Sequence, residues 1–183
     1  MNKYEKRVVF SAEEIAREVQ LLARSISEDY EGKEVVLIGV LKGAFIFLAD
    51  LVRQLTIPVQ LDFIRAASYG TGTESSGKIR ITTDVELDLR GRDVLIVEDI
   101  IDSGRTLDYM RRNLLARNPK SLRICSLLNK PSRREIDVEV EYLGFDIPDE
   151  FVVGYGLDFD ELYRNLPFIA VLKPEVFAHL LEG

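Results

Sequence analysis

Val94–Leu107, VLIVEDIIDSGRTL, is the stretch on which the reading of this chain turns. Together with Asp93, its first residues form a near-continuous apolar run, DVLIV, of the kind expected for a strand covered on both faces in a parallel sheet. The run breaks off at Glu98-Asp99, where the strand is expected to end. Beyond the turn Asp102-Ser103-Gly104, the segment Arg105 to Ala116 is compatible with a helix, and Ser121 to Leu128 reads as the next strand. Strand, helix and strand in succession predict an α/β fold: a doubly wound, mainly parallel sheet with helices on both faces, whose ligand sits outside the carboxyl ends of the strands.

The same alternation continues upstream. Glu34 to Leu41 (EVVLIGVL) is a short, β-branched apolar run punctuated by Lys42-Gly43, and a helix is expected over Ala44 to Leu55. Pro58 ends that helix, Val59 to Ala66 reads as a second strand, and Ser68 to Lys78 (SYGTGTESSGK) reads as a Gly/Ser/Thr-rich loop. Lys78 to Thr83 and Asp84 to Asp88 are further strand candidates. At the amino-terminal end, Ser11 and Glu14 form a capping-box pattern, followed by Ile15, Val19, Leu22 and Ile26 at helical spacing. The carboxyl-terminal third is less regular. Val138 to Tyr142, Phe151 to Val153 and Ile169 to Leu172 are short strand candidates that suggest a small cap more than a continuation of the sheet.

A chain of 183 residues falls in the range of roughly 100–200 residues for one domain. The expected organisation is a single domain over 1–183, with a core at about 34–130 and a hood from the amino-terminal segment and about 131–183. The 31 acidic against 24 basic side chains, a net charge of −7, disfavour a protein whose affinity comes from neutralising nucleic-acid phosphates. They do not forbid a small phosphate ligand. The single cysteine, Cys125, cannot form an internal disulfide or a multi-thiolate metal site, and is expected as a small buried hydrophobe in a reducing compartment. No apolar run approaches the roughly 18 residues of a membrane span, and MNKYEKRVVF lacks the apolar core of a secretory signal, so a cytoplasmic location is expected. His179 stands in an apolar segment without a Ser, Cys or acid arranged as a triad, and is expected to be structural.

The chemistry concentrates where the central strand ends. Glu98 and Asp99 emerge there, with Asp102 just beyond, and clustered carboxylates next to a buried strand are costly unless something compensates them. An oxygen-rich pair suits Mg²⁺ better than a softer metal, and sugar hydroxyls would serve as donors too. Immediately downstream, Ser103-Gly104 opens a helix whose unpaired N–H groups suit a phosphate dianion, with the hydroxyls of Ser103 and Thr106 beside it. Carboxylates for a metal or hydroxyls, then amides for a phosphate, describe a phosphorylated sugar. The plainer alternative is that Ser103 is only a helix cap and the acids are solvated. Neither G-x-x-x-x-G-K-[ST] nor a G-x-G-x-x-G following a strand occurs, so nucleotide-triphosphate and dinucleotide readings lose support.

The segment VLIVEDIIDSGRTL resembles the phosphoribosyl-pyrophosphate signature of type I phosphoribosyltransferases, and more narrowly of the hypoxanthine-guanine phosphoribosyltransferases. Leu41-Lys42-Gly43 resembles that family's pyrophosphate loop, Ser68-Tyr69 the start of its mobile lid, Leu127 to Lys130 its purine-contact strand, and Phe151 to Arg164 (FVVGYGLDFDELYR) its base and pyrophosphate segment. The likeness is collinear from about Val35 to Leu172. Departures are small: Arg105 stands where lysine is also usual, and Ser103 where threonine is also usual.

The resemblance implies a Mg²⁺-dependent transfer of ribose phosphate from phosphoribosyl pyrophosphate to N9 of hypoxanthine or guanine, with release of pyrophosphate, as in purine salvage. It also implies a homodimer or homotetramer. Glu98 and Asp99 would engage the ribose hydroxyls and Mg²⁺, and Asp102 to Thr106, with Ser103, Gly104 and Arg105, would wrap the 5′-phosphate. Asp102 would stand near N7 of the purine as general base or hydrogen-bond partner. Lys42, Gly43 and Arg164 would neutralise the leaving pyrophosphate, and the Leu41-Lys42 peptide bond is one that can be cis in this family. A lid starting at Ser68-Tyr69 would exclude water. On the base side, Lys130 would donate to O6, Phe151 would stack on the ring, the backbone of Val152 would pair with the base edge, and Asp158 would be a second metal or base-edge ligand. A nucleic-acid-binding regulator on the same fold would want an added binding module or a basic face, and a receiver-like domain would not carry the phosphate turn or the purine segment.

Overall fold

A strand that is apolar throughout is satisfied only between two covering layers, and β5 (Asp93–Ile101) runs through the middle of such an arrangement, with all but Ile100 buried. The computed structural model describes residues 6–69 and 78–172. In the main sheet, β5 lies between β2 (Val35–Val40) and β6 (Ser121–Asn129), both parallel to it. Outside β2 lie β3 (Val59–Tyr69), parallel, and β4 (Lys78–Thr83), antiparallel at the edge; outside β6 lies β7 (Tyr142–Asp146), parallel. The order is thus β4-β3-β2-β5-β6-β7. A separate three-stranded antiparallel sheet joins β1 (Lys6–Phe10), β9 (Ile169–Leu172) and β8 (Val152–Val153).

Side chains alternate across the main sheet and sort the helices. Leu37, Leu95 and Val97 face one layer with α1 (Ala12–Asp29) and α2 (Phe45–Gln54). Val36, Ile38, Val94 and Ile96 face the other, with α3 (Arg105–Leu115). The capping box of α1 forms as read: Ser11 Oγ accepts from the Glu14 amide at 3.2 Å, and Glu14 returns a carboxylate to the Ser11 amide at 2.8 Å. Its stripe of Ile15, Val19, Leu22 and Ile26 is buried, each side chain contributing on the order of 1.5–3 kcal/mol of hydrophobic stabilisation.

Five expectations need correction. The central strand does not stop at the acids but continues to Ile101, because pairing with β6 persists after pairing with β2 ends at Val97. Asp84 to Asp88 is not a strand: the carboxylate of Asp62 accepts the Glu86 and Leu87 amides at 2.8 and 2.9 Å, taking the hydrogen bonds a ladder would need. Val138 to Tyr142 is not one either. Val138 and Val140 pack on the core as loop residues, since alternation reports burial and not pairing, and the strand lies at Tyr142–Asp146. That strand extends the main sheet, so the cap is limited to β1, β8 and β9 among the described residues. On the other side, β3 runs on to Tyr69, opposite Lys78 of β4; residues 70–77, most of the expected lid loop, and His179 lie outside the described residues, as do the side chains of Ser68 and Tyr69.

Candidate active site

In a doubly wound sheet the crevice opens where successive crossovers leave in opposite directions, outside the carboxyl ends of the strands. Here the chain goes from β2 outward to β3 and β4, then returns across β2 to β5 and on to β6 and β7, so that point lies between β2 and β5. Leu41-Lys42-Gly43 leaves the end of β2, and Glu98-Asp99 sits near the end of β5. The register, with Gly39 opposite Val97, brings the two segments side by side. The Leu41–Lys42 peptide bond is cis. A Cβ on Gly43 would overlap the Asp99 carboxylate, so only glycine permits this approach.

Glu98 and Asp99 are 8% and 9% exposed. Glu98 Oε1 accepts the Asp99 amide at 3.2 Å, and Asp99 Oδ1 accepts the Ile100 amide at 2.9 Å. These bonds do not offset burial. Loss of solvent pushes Glu98 well above the usual carboxylate range, with the Asp99 charge adding to it; burial also raises Asp99, against the pull of local hydrogen bonds and Arg164. No group of three His, Cys, Asp or Glu side chains gathers to hold a metal among the described residues. A buried, oxygen-only carboxylate pair matches Mg²⁺, which keeps several waters and is held by one or two carboxylates plus substrate phosphates.

Beyond β5, Asp102 to Gly104 turns into α3. Gly104, not Ser103, is the cap residue; its φ of 83° is left-handed, and a Cβ there would run into the Ile136 carbonyl. The Ser103 hydroxyl accepts the Arg105 amide at 3.4 Å, and a cavity of about 110 Å³ is lined by Glu98, Ile101, Asp102, Ser103, Gly104 and Thr106. The turn is braced from behind. Lys130 N–H donates to the Ile101 carbonyl at 2.9 Å, and the Glu135 and Ile136 amides both donate to the Ser103 carbonyl at 3.0 Å. Arg105 makes an ion pair with Glu135, and Arg133 Nε donates to Asp102 Oδ1 at 3.1 Å.

Lys130 directly follows β6 and is 8% exposed, with Nζ 3.8 Å from Asp149. Phe151 is 44% exposed and meets Phe159 edge to face at 5.7 Å, while Val152 is buried in β8. Asp158 is turned toward Arg164 (2.9 Å) and the Glu161 amide (2.9 Å) and forms no common cluster with Glu98 and Asp99. Arg164 Nη1 also donates to the Gly156 carbonyl at 2.8 Å, and Gly156 is packed so closely on the Gly43 carbonyl that a Cβ would not fit. Through that contact the 151–164 segment closes on the Lys42 loop. Larger cavities of about 620 and 520 Å³ lie around α1 and α2, but they hold neither the acid pair nor the turn from Asp102 to Gly104.

Residues 9–160 match the phosphoribosyl transferase domain family. The chain is 49% identical over 178 residues to the hypoxanthine-guanine phosphoribosyltransferase of Mycobacterium tuberculosis, covering 94% of this chain and 88% of that one. It is 52% identical over 169 residues to the hypoxanthine phosphoribosyltransferase of Salmonella typhimurium, covering 91% and 95%. The chain belongs to the hypoxanthine-guanine phosphoribosyltransferases. Among solved structures it superposes on the Staphylococcus aureus hypoxanthine phosphoribosyltransferase with a TM-score of 0.89, 45% identity and 93% of each chain. On the Trypanosoma cruzi hypoxanthine phosphoribosyl transferase the TM-score is 0.92, with 39% identity over 100% and 99% of the chains. The assembly also contains three side chains to which the sequence reading gave no role: Arg133, Asp149 and Glu161. Each is a charged residue that is indistinguishable in sequence from a solvated surface charge.

Proposed function

We propose that this chain transfers the phosphoribosyl group of phosphoribosyl pyrophosphate to N9 of hypoxanthine or guanine, giving IMP or GMP and pyrophosphate. The bond from C1′ to the pyrophosphate oxygen breaks, the bond from N9 to C1′ forms, and the base loses its N–H proton. The observation that carries the reading is the packing of Gly43 on the Asp99 carboxylate, which joins a loop suited to pyrophosphate to acids suited to a sugar.

Glu98 and Asp99 are assigned to the ribose hydroxyls and to Mg²⁺, which when bound supplies charge neutralisation at the leaving group. The amides and hydroxyls of Ser103, Gly104, Arg105 and Thr106 are assigned to the 5′-phosphate, consistent with a glycine-capped helix terminus and its cavity. Lys42, Gly43 and Arg164 neutralise pyrophosphate. Asp102, whose Oδ1 accepts from Arg133, holds the purine N7 side, accepting or sharing the proton that leaves the base. Lys130 donates to O6. Adenine carries an amino group there and offers the buried lysine no acceptor, which is the basis assigned to selection of oxopurines. Phe151 stacks on the base, Val152 pairs with its edge, Asp158 supports base edge or metal, and a lid from Ser68-Tyr69 excludes water.

The chain is read as one domain, and as a cytoplasmic enzyme with no nucleic-acid or membrane partner. No helix among the described residues is long and apolar enough to cross a membrane, and the net charge is −7. Exposed Phe45, Leu61 and Phe63, on α2 and β3, favour a homodimer or homotetramer. The test is nucleotide formation from phosphoribosyl pyrophosphate and Mg²⁺ with hypoxanthine, guanine, xanthine or adenine. Turnover with hypoxanthine or guanine and rejection of adenine is expected; no turnover with any oxopurine overturns the reading.

A further inference from the structure

Lys42 and Arg164 share one carboxylate. Lys42 Nζ donates to Glu161 Oε1 at 2.9 Å and Arg164 Nη2 to Glu161 Oε2 at 3.1 Å, so the two oxygens of one side chain bridge both cations. We propose, building on the phosphoribosyltransferase reading, that Glu161 is an internal counter-anion that holds the place of pyrophosphate between Lys42 and Arg164, and that its displacement sets the affinity for pyrophosphate-bearing ligands.

The partners are unequal in a way that suits exchange. Arg164 is anchored without Glu161, through the Gly156 carbonyl at 2.8 Å and Asp158 at 2.9 Å, and its side chain is 18% exposed. Its Nε is buried with no hydrogen-bond partner among the described residues. Lys42 is 45% exposed, and its one ion pair among the described residues is with Glu161. Glu161 is 62% exposed. It projects from a turn in which Asp160, Glu161 and Tyr163 take left-handed φ values of 51°, 61° and 75°, tied down by the Glu161 amide on Asp158. Three non-glycine residues in that region are uncommon, and they set where the Glu161 side chain leaves the backbone. Lys42, then Arg164, holds the Glu161 carboxyl below its usual range, so it is an anion at neutral pH. Exposed ion pairs are weak and exchange readily, whereas a pyrophosphate with Mg²⁺ brings more charge to the same cations.

Glu161 therefore competes with the ligand instead of assisting it. Calorimetric titration of wild-type, Glu161→Gln and Asp160→Asn proteins with pyrophosphate in the presence of Mg²⁺ tests this. Glu161→Gln is expected to bind about two- to tenfold more tightly than wild type, the range two exposed ion pairs can sustain, with a matching fall in KM for phosphoribosyl pyrophosphate. Asp160→Asn, which removes the same charge one residue away, is expected to stay within about twofold. Unchanged or weaker binding by Glu161→Gln overturns the inference, and so does an equal gain in both variants, which marks a general charge effect. If wild type turns over oxopurine, either result overturns the inference alone; if it turns over none, the underlying reading falls and the inference with it.

Discussion

The acids at the end of β5 and the acid on the 158–161 turn carry the same charge into opposite surroundings. Glu98 and Asp99 are buried, form no ion pair among the described residues, and are raised above the usual carboxylate range. Glu161 is exposed, bridges two cations, and is lowered. A buried acid pair without a cation is a site in deficit that an external metal or a set of hydroxyls completes. An exposed acid already holding its cations is a site in balance, which a ligand enters by exchange. One half of the centre is therefore built to attract and the other to trade.

Asp102 stands between these conditions, 47% exposed and paired with Arg133. Asp102→Asn keeps the shape and removes the charge: kcat is expected to fall by about 10²–10³, with nucleotide binding changed by only a few-fold, as single-turnover kinetics and calorimetry would show. An unchanged kcat would remove its assigned role. Gly43→Ala probes the buried half. A methyl there meets the Asp99 carboxylate, and kcat/KM is expected to drop by about 10²-fold while the circular dichroism spectrum stays native. A tolerant variant would mean that the acid pair is not held by packing. Lys130→Ala should narrow the preference for hypoxanthine over adenine by about tenfold or more, measured as a ratio of kcat/KM values.

The smallest effects separate the two halves by sign. For Glu98 and Asp99 the folded chain holds protons that the unfolded chain releases, so their contribution is intact below the ordinary carboxylate range and is lost as pH rises through their raised values. Glu161 runs the other way, its contribution being present above that range and lost as pH falls. Without ligand, the melting temperature should decline as pH rises above the ordinary carboxylate range, flatten in Asp99→Asn, and recover most at the higher pH on adding Mg²⁺. A profile that rises over this interval would contradict the buried pair. Burial also pushes the Cys125 thiol far up, so thiol reagents should label it only on unfolding.

Much of this was legible in the chain. Ser11 and Glu14 cap α1 because capping is a local bond, and DVLIV reads as a doubly covered strand because burial on both faces leaves no alternation. Other features escaped because their causes are remote in sequence. The Asp62 carboxylate quenches a strand at Asp84–Asp88 from 24 residues away, and Arg133, 31 residues from Asp102, reaches it only after the 3-10 turn Pro131–Arg133 folds back.

By itself the sequence determined the alternation of strands and helices, the glycines and acids of the turn after the central strand, and the resemblance that named the chemistry, since each is written in adjacent residues. Only the tertiary structure decided which charges meet. Gly43 lies on Asp99 because β2 and β5 are neighbours in parallel register, and Lys42 shares Glu161 with Arg164 because the later segment closes back on the β2 loop. Those contacts span up to 119 residues, and a charge carries no mark in its own neighbourhood of the partner it will find across the fold.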